Sequence, residues 1–422
     1  MSISSMLEKL EEGLYLNVIH TNKFKTNLVN VYILRPLNRE EVTKNALIPL
    51  ILRRGTKEYK TSLDIQKRLE ELYGSNLSIN VNKKGERQII RFTIEGPDSD
   101  IVASDNLLKD QLKMLYNIIT NPLLEKELFS VKYVEQEKKN LKKKIEGRVN
   151  NKKQYALDRC IEEMCKNENY RLYKYGYTED IEKITNSDLY KHYKEILKTS
   201  PIFISVVGNV MKEDIVEQIK NIFKFRRDNI IEIPREDVIK AVVEVNKVFD
   251  EMDVNQGKLT LGYRTNVPYE DELYESLLLA SNILGGGPNS KLFENVREKE
   301  SLAYYVYSKS YKFKSIMLIA SGIEFQNYDK ALDIIRKQVE DMKKGKFEQG
   351  HIENSKSSLI TAIKSMTDNN FSLAEFYLSQ FITNDNRSIN QIINNLKVIS
   401  KDNVVEAAKK LSLDTIYFLK KK

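Results

Sequence analysis

The stretch SNILGGGPNSKLFENVREKESLAYYVYS, Ser281–Ser308, carries the strongest structural signals in the sequence. Three consecutive glycines, Gly285, Gly286 and Gly287, predict the end of a helix, because glycine takes left-handed backbone dihedrals without a steric penalty. The residues that follow favour a second helix with one apolar face. The run Leu302–Tyr307 then favours a strand. A helix, a glycine turn, a second helix and a strand are therefore expected in succession.

Two polar residues stand on either side of the predicted helix–strand turn. Arg297 lies late on the second helix, and Tyr304 lies at the beginning of the strand. Their side-chain tips can therefore point at one spot across the turn. An ordinary helix–strand corner with a surface arginine and a half-buried tyrosine has the same spacing, so the two residues alone do not establish a site.

The pattern of elements around this stretch also occurs in the first half of the chain. The run ITNSDLYKHYKEIL from Ile184 matches ISKDNVVEAAKKL from Ile399, and a short apolar strand follows each of them. Between the halves, Arg226–Asp237 is polar, contains Pro234 and has no clear period, which is typical of a linker. Element order, type and spacing agree, so the sequence indicates a duplicated α+β unit.

We therefore expect an α+β protein with two tandem, similar domains. Each should hold a mostly antiparallel sheet with helices packed on one face. The predicted boundaries are 1–225 for the first domain, 226–240 for the linker and 241–422 for the second domain.

With this context, the stretch resembles a signature of the pitrilysin/insulinase family of zinc peptidases, the inverzincins. Members carry a Gly-Gly-Gly turn, a helix that ends in Val-Arg-Glu and a strand that begins with Leu-Ala-Tyr. These correspond here to Gly285–Gly287, Val296–Glu298 and Leu302–Tyr304. Two tandem units of the predicted kind are the architecture of that family, so the resemblance covers nearly the whole chain.

The resemblance implies roles for the residues of the signature. In the family, the arginine and tyrosine hold the substrate backbone and help the transition state, which assigns those roles to Arg297 and Tyr304. The glycine turn at Gly285–Gly287 would let a substrate approach closely. A plain helix C-cap explains the same glycines equally well.

The zinc motif of active members is missing from the first half. Those members carry His-x-x-Glu-His on a helix shortly before a Gly-Thr pair, and here the Gly-Thr pair ends at Thr56. Counted back from that pair, the two histidine positions hold Ala46 and Leu50, and the glutamate position holds Pro49. None of these can bind a metal or carry a proton. A third ligand position falls near Glu135, which without partners is expected to be a solvated or salt-bridged carboxylate.

No other metal site is predicted. The histidines His20, His192 and His351 lie far apart, and no pair shows ligand spacing. The chain is therefore expected to bind no cofactor, with zinc located in a partner chain.

Two functions from different classes are compatible with this pattern. Some bacterial members of the family are heterodimers in which one chain carries the zinc motif and the other supplies arginine and tyrosine in trans. On that model, this chain is a non-catalytic subunit that binds an unfolded peptide beside a zinc-bearing paralogue and cleaves nothing alone. The alternative is a structural, assembly or peptide-binding protein with no role in proteolysis.

Composition excludes several other classes. The net charge of +8 accompanies enrichment in lysine throughout, and no basic motif interleaved with aromatic residues is present, so nucleic-acid binding is not expected. No apolar run reaches the length of about 18 residues that a membrane helix needs. Two cysteines, Cys160 and Cys165, and a start without a secretory signal favour the cytoplasm.

Overall fold

The computed structural model describes residues 4–104 and 106–422, which form two compact units. Unit 1 contains the described residues up to Gly147 together with Leu172–Pro234 and Thr367–Ile382. Unit 2 is assembled from three further segments, namely Arg148–Arg171, Arg235–Met366 and Thr383–Lys422. Each unit therefore includes one short segment from the opposite half of the chain.

Unit 1 is organised around a six-stranded sheet. The strands of the first half are β1 (Ser4–Glu11), β2 (Leu14–His20), β3 (Thr26–Pro36), β4 (Asn76–Lys84), β5 (Arg87–Pro97), β6 (Leu124–Glu125), β7 (Leu128–Phe129) and β8 (Ile202–Gly208). Their order in the sheet is β1-β2-β8-β3-β5-β4, while β6 and β7 form a separate hairpin. All neighbours in the sheet are antiparallel except β2 and β8.

Helices cover one face of this sheet. The helices of the first half are α1 (Val42–Leu52), α2 (Ser62–Glu71), α3 (Ser99–Val102), α4 (Leu107–Thr120), α5 (Val131–Glu146), α6 (Lys152–Met164), α7 (Thr178–Ile181), α8 (Asn186–Thr199) and α9 (Lys212–Ile222). Successive side chains of a strand point to opposite faces, and Val29, Val31 and Ile33 of β3 pack into the main core beneath these helices.

Unit 2 is organised around a five-stranded sheet with the order β11-β12-β10-β13-β9. The strands of the second half are β9 (Asn246–Met252), β10 (Gly257–Arg264), β11 (Ala303–Tyr311), β12 (Ile316–Ile323) and β13 (Ser412–Lys421). The helices of the second half are α10 (Tyr274–Gly285), α11 (Tyr328–Lys343), α12 (Gln349–Met366), α13 (Asn370–Thr383), α14 (Ile389–Val398) and α15 (Lys401–Lys409), of which α13, apart from its last residue, belongs to unit 1. Only β13 and β9 pair in parallel.

The two sheets share one topology, which supports the predicted duplication. Read from β4, the first sheet runs β4-β5-β3-β8-β2, and the second runs β11-β12-β10-β13-β9 with the same sequence of antiparallel and parallel pairs. The matched helices α8 and α15 also begin alike. The hydroxyls of Thr185 and Ser400 each cap their helix by accepting a hydrogen bond from the backbone N–H three residues later. The α+β fold with two similar halves is confirmed.

One helix from each half lies on the second face of the other half's sheet. In unit 1, Leu378 of α13 joins a small core with Tyr32 and Leu34, the β3 residues that alternate with those of the main core. In unit 2, α6 packs on the corresponding face, where Gly262 of β10 lets Met164 approach closely. The boundaries 1–225, 226–240 and 241–422 stay a prediction about the sequence repeats, because the compact units exchange these helices.

None of the helices that the structure describes combines the length and the hydrophobicity needed to span a bilayer.

Candidate functional site

The corner that carries Arg297 is built from an unusual helix. Residues Phe293–Glu298 form a π-helical turn, and the Lys299 N–H donates a hydrogen bond to the carbonyl of Glu294, five residues back, at 3.0 Å. Such turns are rare and occur frequently at functional sites, because the extra residue per turn redirects the side chains that follow. Arg297 is the fifth residue of this segment, and its side chain is exposed.

The backbone between Arg297 and Tyr304 contains two more irregularities. Ser301 has φ +53°, a left-handed conformation that is uncommon for residues other than glycine. Tyr304 lies in a β-bulge, since Ala303 pairs with Ile323 and Tyr305 pairs with the very next residue of β12, Gly322. Bulges and strained dihedrals are concentrated at functional sites, where they re-aim side chains.

Neither side chain of the pair has a hydrogen-bond or ion-pair partner among the described residues. The Arg297 guanidinium lies 4.7 Å from the centroid of the Phe293 ring, and within residues 4–104 and 106–422 it makes no hydrogen bond or ion pair. Tyr304 is 77% exposed, and its hydroxyl contacts no hydrogen-bonding group of the described residues. Both polar tips are therefore available to a ligand.

Other charged residues of the same corner form contacts with adjacent helices. Glu294 lies 3.5 Å from the Nε2 atom of His351, and Glu300 forms an ion pair with Lys330 at 2.6 Å. The corner thus has charged groups that anchor it to adjacent helices, and Arg297 is not among them.

The glycine turn ends α10 for a different reason from the one predicted. None of Gly285, Gly286 and Gly287 has positive φ, and Gly286 caps the helix with right-handed dihedrals. A Cβ on Gly285 would meet the backbone nitrogen of Ser308 at 2.4 Å, and one on Gly286 would meet the Asn282 side chain at the same distance. The expectation of left-handed glycines was wrong. Two of them are required by close packing, whereas the third, Gly287, faces open space.

The positions of the zinc motif lie in unit 1, on α1, and belong to its core. Ala46 is 1% exposed, Pro49 is buried within the helix, and Leu50 packs against the same cluster at intermediate exposure. Apolar side chains at these positions offer no ligand atom, so this helix does not fit a zinc ion. In the described part of the chain, no group of three or more His, Cys, Asp and Glu side chains is arranged to hold a metal.

The carboxylate that faces α1 is two residues away from the one singled out in the sequence. Glu135 is exposed and forms an ion pair with Lys138 at 3.2 Å. Glu137 is 5% exposed and forms an ion pair with Arg54, just after the end of α1. The sequence does indicate that Glu137 lies on the buried face of α5, because it follows Val134 by three residues and precedes Leu141 by four, and both of these are buried.

The only buried histidine of the described residues belongs to a polar network at α1. The Nε2 atom of His192 lies 2.8 Å from Oδ1 of Asn45, and Nδ2 of Asn45 donates to the Gln88 side chain at 2.9 Å. Burial is the main cause that lowers the pKa of His192 from 6.5 to about 4. This imidazole is therefore neutral at pH 7 and holds Asn45 in place instead of binding a metal.

We expect His192 to make the protein acid-sensitive. Between pH 6.5 and pH 4 the unfolded chain binds a proton that the folded chain does not, so stability falls as pH falls through this window, by up to about 3 kcal/mol. His192→Gln should flatten the stability profile between these pH values, measured by urea unfolding from pH 8 to pH 4. At pH 8 the imidazole is neutral in both the folded and the unfolded chain. The difference in unfolding free energy between the two proteins at that pH therefore measures the effect of the substitution on packing alone. Parallel profiles for the two proteins would contradict the prediction.

Comparison with known proteins places this geometry in context. Residues 183–359 match the model of the peptidase M16 inactive domain. The chain is 36% identical over 421 residues to a probable inactive metalloprotease, YmfF, of Bacillus subtilis, covering 100% of this chain and 99% of that one. It is also 24% identical over 264 residues to the uncharacterized zinc protease YmxG of the same organism, covering 61% of this chain and 63% of that one.

Solved structures show the same fold over the full length. A conserved protein from Enterococcus faecalis superposes with a TM-score of 0.90 at 28% identity, covering 99% of both chains. A peptidase M16 inactive domain protein from Pseudomonas fluorescens has a TM-score of 0.82 at 15% identity, covering 100% of this chain and 98% of that one.

Proposed function

The chain belongs to the M16 peptidase family, as one of its inactive members, and on that premise we propose that it is the non-catalytic subunit of a heterodimeric zinc peptidase. In this model, a zinc-bearing paralogue supplies the metal chemistry. The present chain supplies Arg297 and Tyr304, which act on the substrate in trans.

The observation that carries the proposal is the state of these two side chains. Both are exposed, and neither has a hydrogen-bond or ion-pair partner among the described residues. A corner with a π-helical turn, a left-handed serine and a bulge costs free energy that a plain helix–strand connection would not. A ligand-binding role explains why the corner keeps this geometry and keeps its polar tips free.

The chemistry of the two groups fits a peptide substrate. The guanidinium of Arg297 offers planar, paired N–H donors that suit a carboxylate or peptide carbonyl. The hydroxyl of Tyr304 can donate a hydrogen bond to the oxyanion that develops when a peptide carbonyl is attacked. Tyr304 lies on β11, the outer strand of its sheet, so an extended peptide can be bound by strand addition beside it.

The proposed paralogue is a member of the same family that retains the zinc motif. A relative of this chain in Bacillus subtilis, YmxG, is described as an uncharacterized zinc protease. The degenerate positions Ala46, Pro49 and Leu50 make a partner necessary, because they cannot hold zinc in this chain. A structural, assembly or peptide-binding role without proteolysis is the alternative, and it predicts that no mixture is more active than the paralogue alone.

We expect the isolated chain to bind no stoichiometric zinc and to cleave no peptide. A mixture with its zinc-bearing paralogue should form a heterodimer that hydrolyses unfolded peptides faster than the paralogue alone. Metal analysis, gel filtration and a fluorogenic peptide assay measure the three properties. One tightly bound zinc per isolated chain, or a mixture no more active than the paralogue, would refute the proposal.

A further inference from the structure

Unit 1 contains a cavity of about 830 Å³ that is separate from both the zinc-motif positions and the Arg297 corner. It lies beside the end of α4, one side of α8 and the segment that follows α9. Its volume falls within the range of small-molecule pockets, roughly 300–1,000 Å³.

The charges on the wall of this cavity are almost all positive. Six cationic side chains line it, namely Lys57, Lys194, Lys198, Lys224, Arg226 and Arg227. Asp228 is the one acidic residue among the lining residues, and Lys198 already neutralises it at 2.5 Å. Within the described residues, no carboxylate forms an ion pair with any of the other five. With six cations and one carboxylate, the lining of the cavity therefore has five positive charges in excess.

Arg227 is the most deeply placed of these cations. Its guanidinium donates hydrogen bonds to the backbone carbonyls of Gly13, Leu197 and Ser200, and burial lowers its pKa to about 10. Carbonyl oxygens orient the group but do not cancel its charge. A partly buried charge of this kind raises the positive potential nearby more than a solvated lysine does, because there is less water to screen it.

Aromatic rings form the apolar part of the wall. Tyr190 and Tyr193 stack with centroids 5.9 Å apart and an interplanar angle of 27°, and Tyr116 packs edge-on against Phe225. The hydroxyls of Tyr193 and Tyr116 donate to backbone carbonyls. Tyr193 is buried and supports Tyr190 from behind, whereas the partly exposed Tyr116 presents mainly its ring. Lys194 lies 4.8 Å over the Tyr190 ring. An aromatic surface thus adjoins the cations.

We propose that this cavity binds a small multivalent anion with a flat aromatic body, the chemical class of the nucleoside phosphates. The cations come from three separate parts of the chain, around Lys57, on α8 and after α9, which suits several phosphate charges better than a single carboxylate. The partly exposed rings of Tyr116 and Tyr190 provide a stacking surface for a base. This site is independent of the proposed peptidase role.

The test is isothermal titration calorimetry of the full chain with ATP at low salt and without divalent cations. ATP should bind at one site per chain, and added salt should weaken the binding because the contacts are ionic. Pyrophosphate, which has the charge without the ring, and decanoate, which has an apolar body and one charge, should each bind at least tenfold more weakly. Failure of ATP to bind at 1 mM, which is about the weakest affinity of interest, would overturn the proposal. So would binding of either probe as tightly as ATP.

Variants locate the site. Lys194→Glu combined with Lys224→Glu should weaken ATP binding at least tenfold. The control, Lys67→Glu combined with Lys109→Glu, makes the same charge change on exposed residues outside the cavity and should leave the affinity for ATP within twofold. Tyr190→Leu should cost about tenfold, and circular dichroism checks that each variant is folded. Equal losses in the cavity and control pairs would show general charge attraction and overturn the assignment.

Discussion

Tyr304→Phe is expected to lower turnover of the mixed peptidase complex by about 100- to 1,000-fold, the usual cost of losing one oxyanion donor. The substitution removes a single hydroxyl from a side chain that is 77% exposed and has no partner among the described residues. Folding, dimer formation and KM should therefore change little. Steady-state kinetics of the reconstituted complex measure the effect.

Arg297→Ala should lower kcat/KM by about 10- to 100-fold, with losses in both binding and turnover, because a charged donor to the substrate contributes in both states. Two matched controls lie in the same unit. Tyr305→Phe removes a hydroxyl one residue along β11, and Arg336→Ala removes an exposed arginine from α11. Both controls should retain activity.

The outcome separates the two functions. If Arg297 and Tyr304 only stabilise their corner, both variants should lower stability or dimer formation and leave the rate per complex unchanged. Full peptidase activity in a complex that carries both substitutions would refute the role in trans and favour a structural protein.

Glu168→Ala is expected to destabilise the protein by about 3 kcal/mol, because it breaks a buried ion pair. Glu168 follows α6, and its carboxylate binds Arg264 and Lys314, each at 2.6 Å. Arg264 is 4% exposed and Lys314 only 1%. Burial by itself would raise the pKa of Glu168, but the hydrogen bonds from the two cations hold it below its ordinary value. The carboxylate is therefore charged at neutral pH. Its removal takes one acidic partner from both buried cations, although Arg264 keeps Asp414 at 2.9 Å.

Urea unfolding measures the loss, and peptide-resolved hydrogen exchange should localise it to α6 and the strands of unit 2. Glu251→Ala is the control, since Glu251 pairs with Lys420 on the surface and exposed pairs contribute about 0–1 kcal/mol. Equal midpoints for Glu168→Ala and Glu251→Ala would show that the buried pair does not hold the α6 segment in unit 2.

Local signals in the sequence determined much of the fold. The matched runs beginning at Ile184 and Ile399 each form a capped helix followed by a strand, because hydroxyl caps and helical periodicity are properties of short segments. The loss of ligands at Ala46, Pro49 and Leu50 is equally visible in the sequence, since it depends on residue identity and not on geometry. The duplication and the absence of the zinc motif could therefore be inferred from the sequence alone.

Only the tertiary structure decided the details of the site. The sequence predicted Gly285 as part of a left-handed helix end. In the structure, glycine is required at this position because Ser308 on β11 approaches it closely. The π-helical turn and the bulge at Tyr304 were not predicted from the sequence, because local propensity specifies neither. The free state of Arg297 likewise depends on which carboxylates lie nearby.

The exchange of α6 and α13 between the units was also decided by tertiary packing. Both helices have a pattern of apolar residues that predicts burial, but such a pattern does not specify the surface that buries it. The sheets are apolar on both faces, and Tyr32 and Leu34 of β3 need a cover just as Val31 does. Each half's own helix layer covers one face only. Burial of the second face of each sheet is favourable. Contacts such as Leu378 on β3 and Glu168 with Arg264 determine which helix covers that face, which the sequence alone left open.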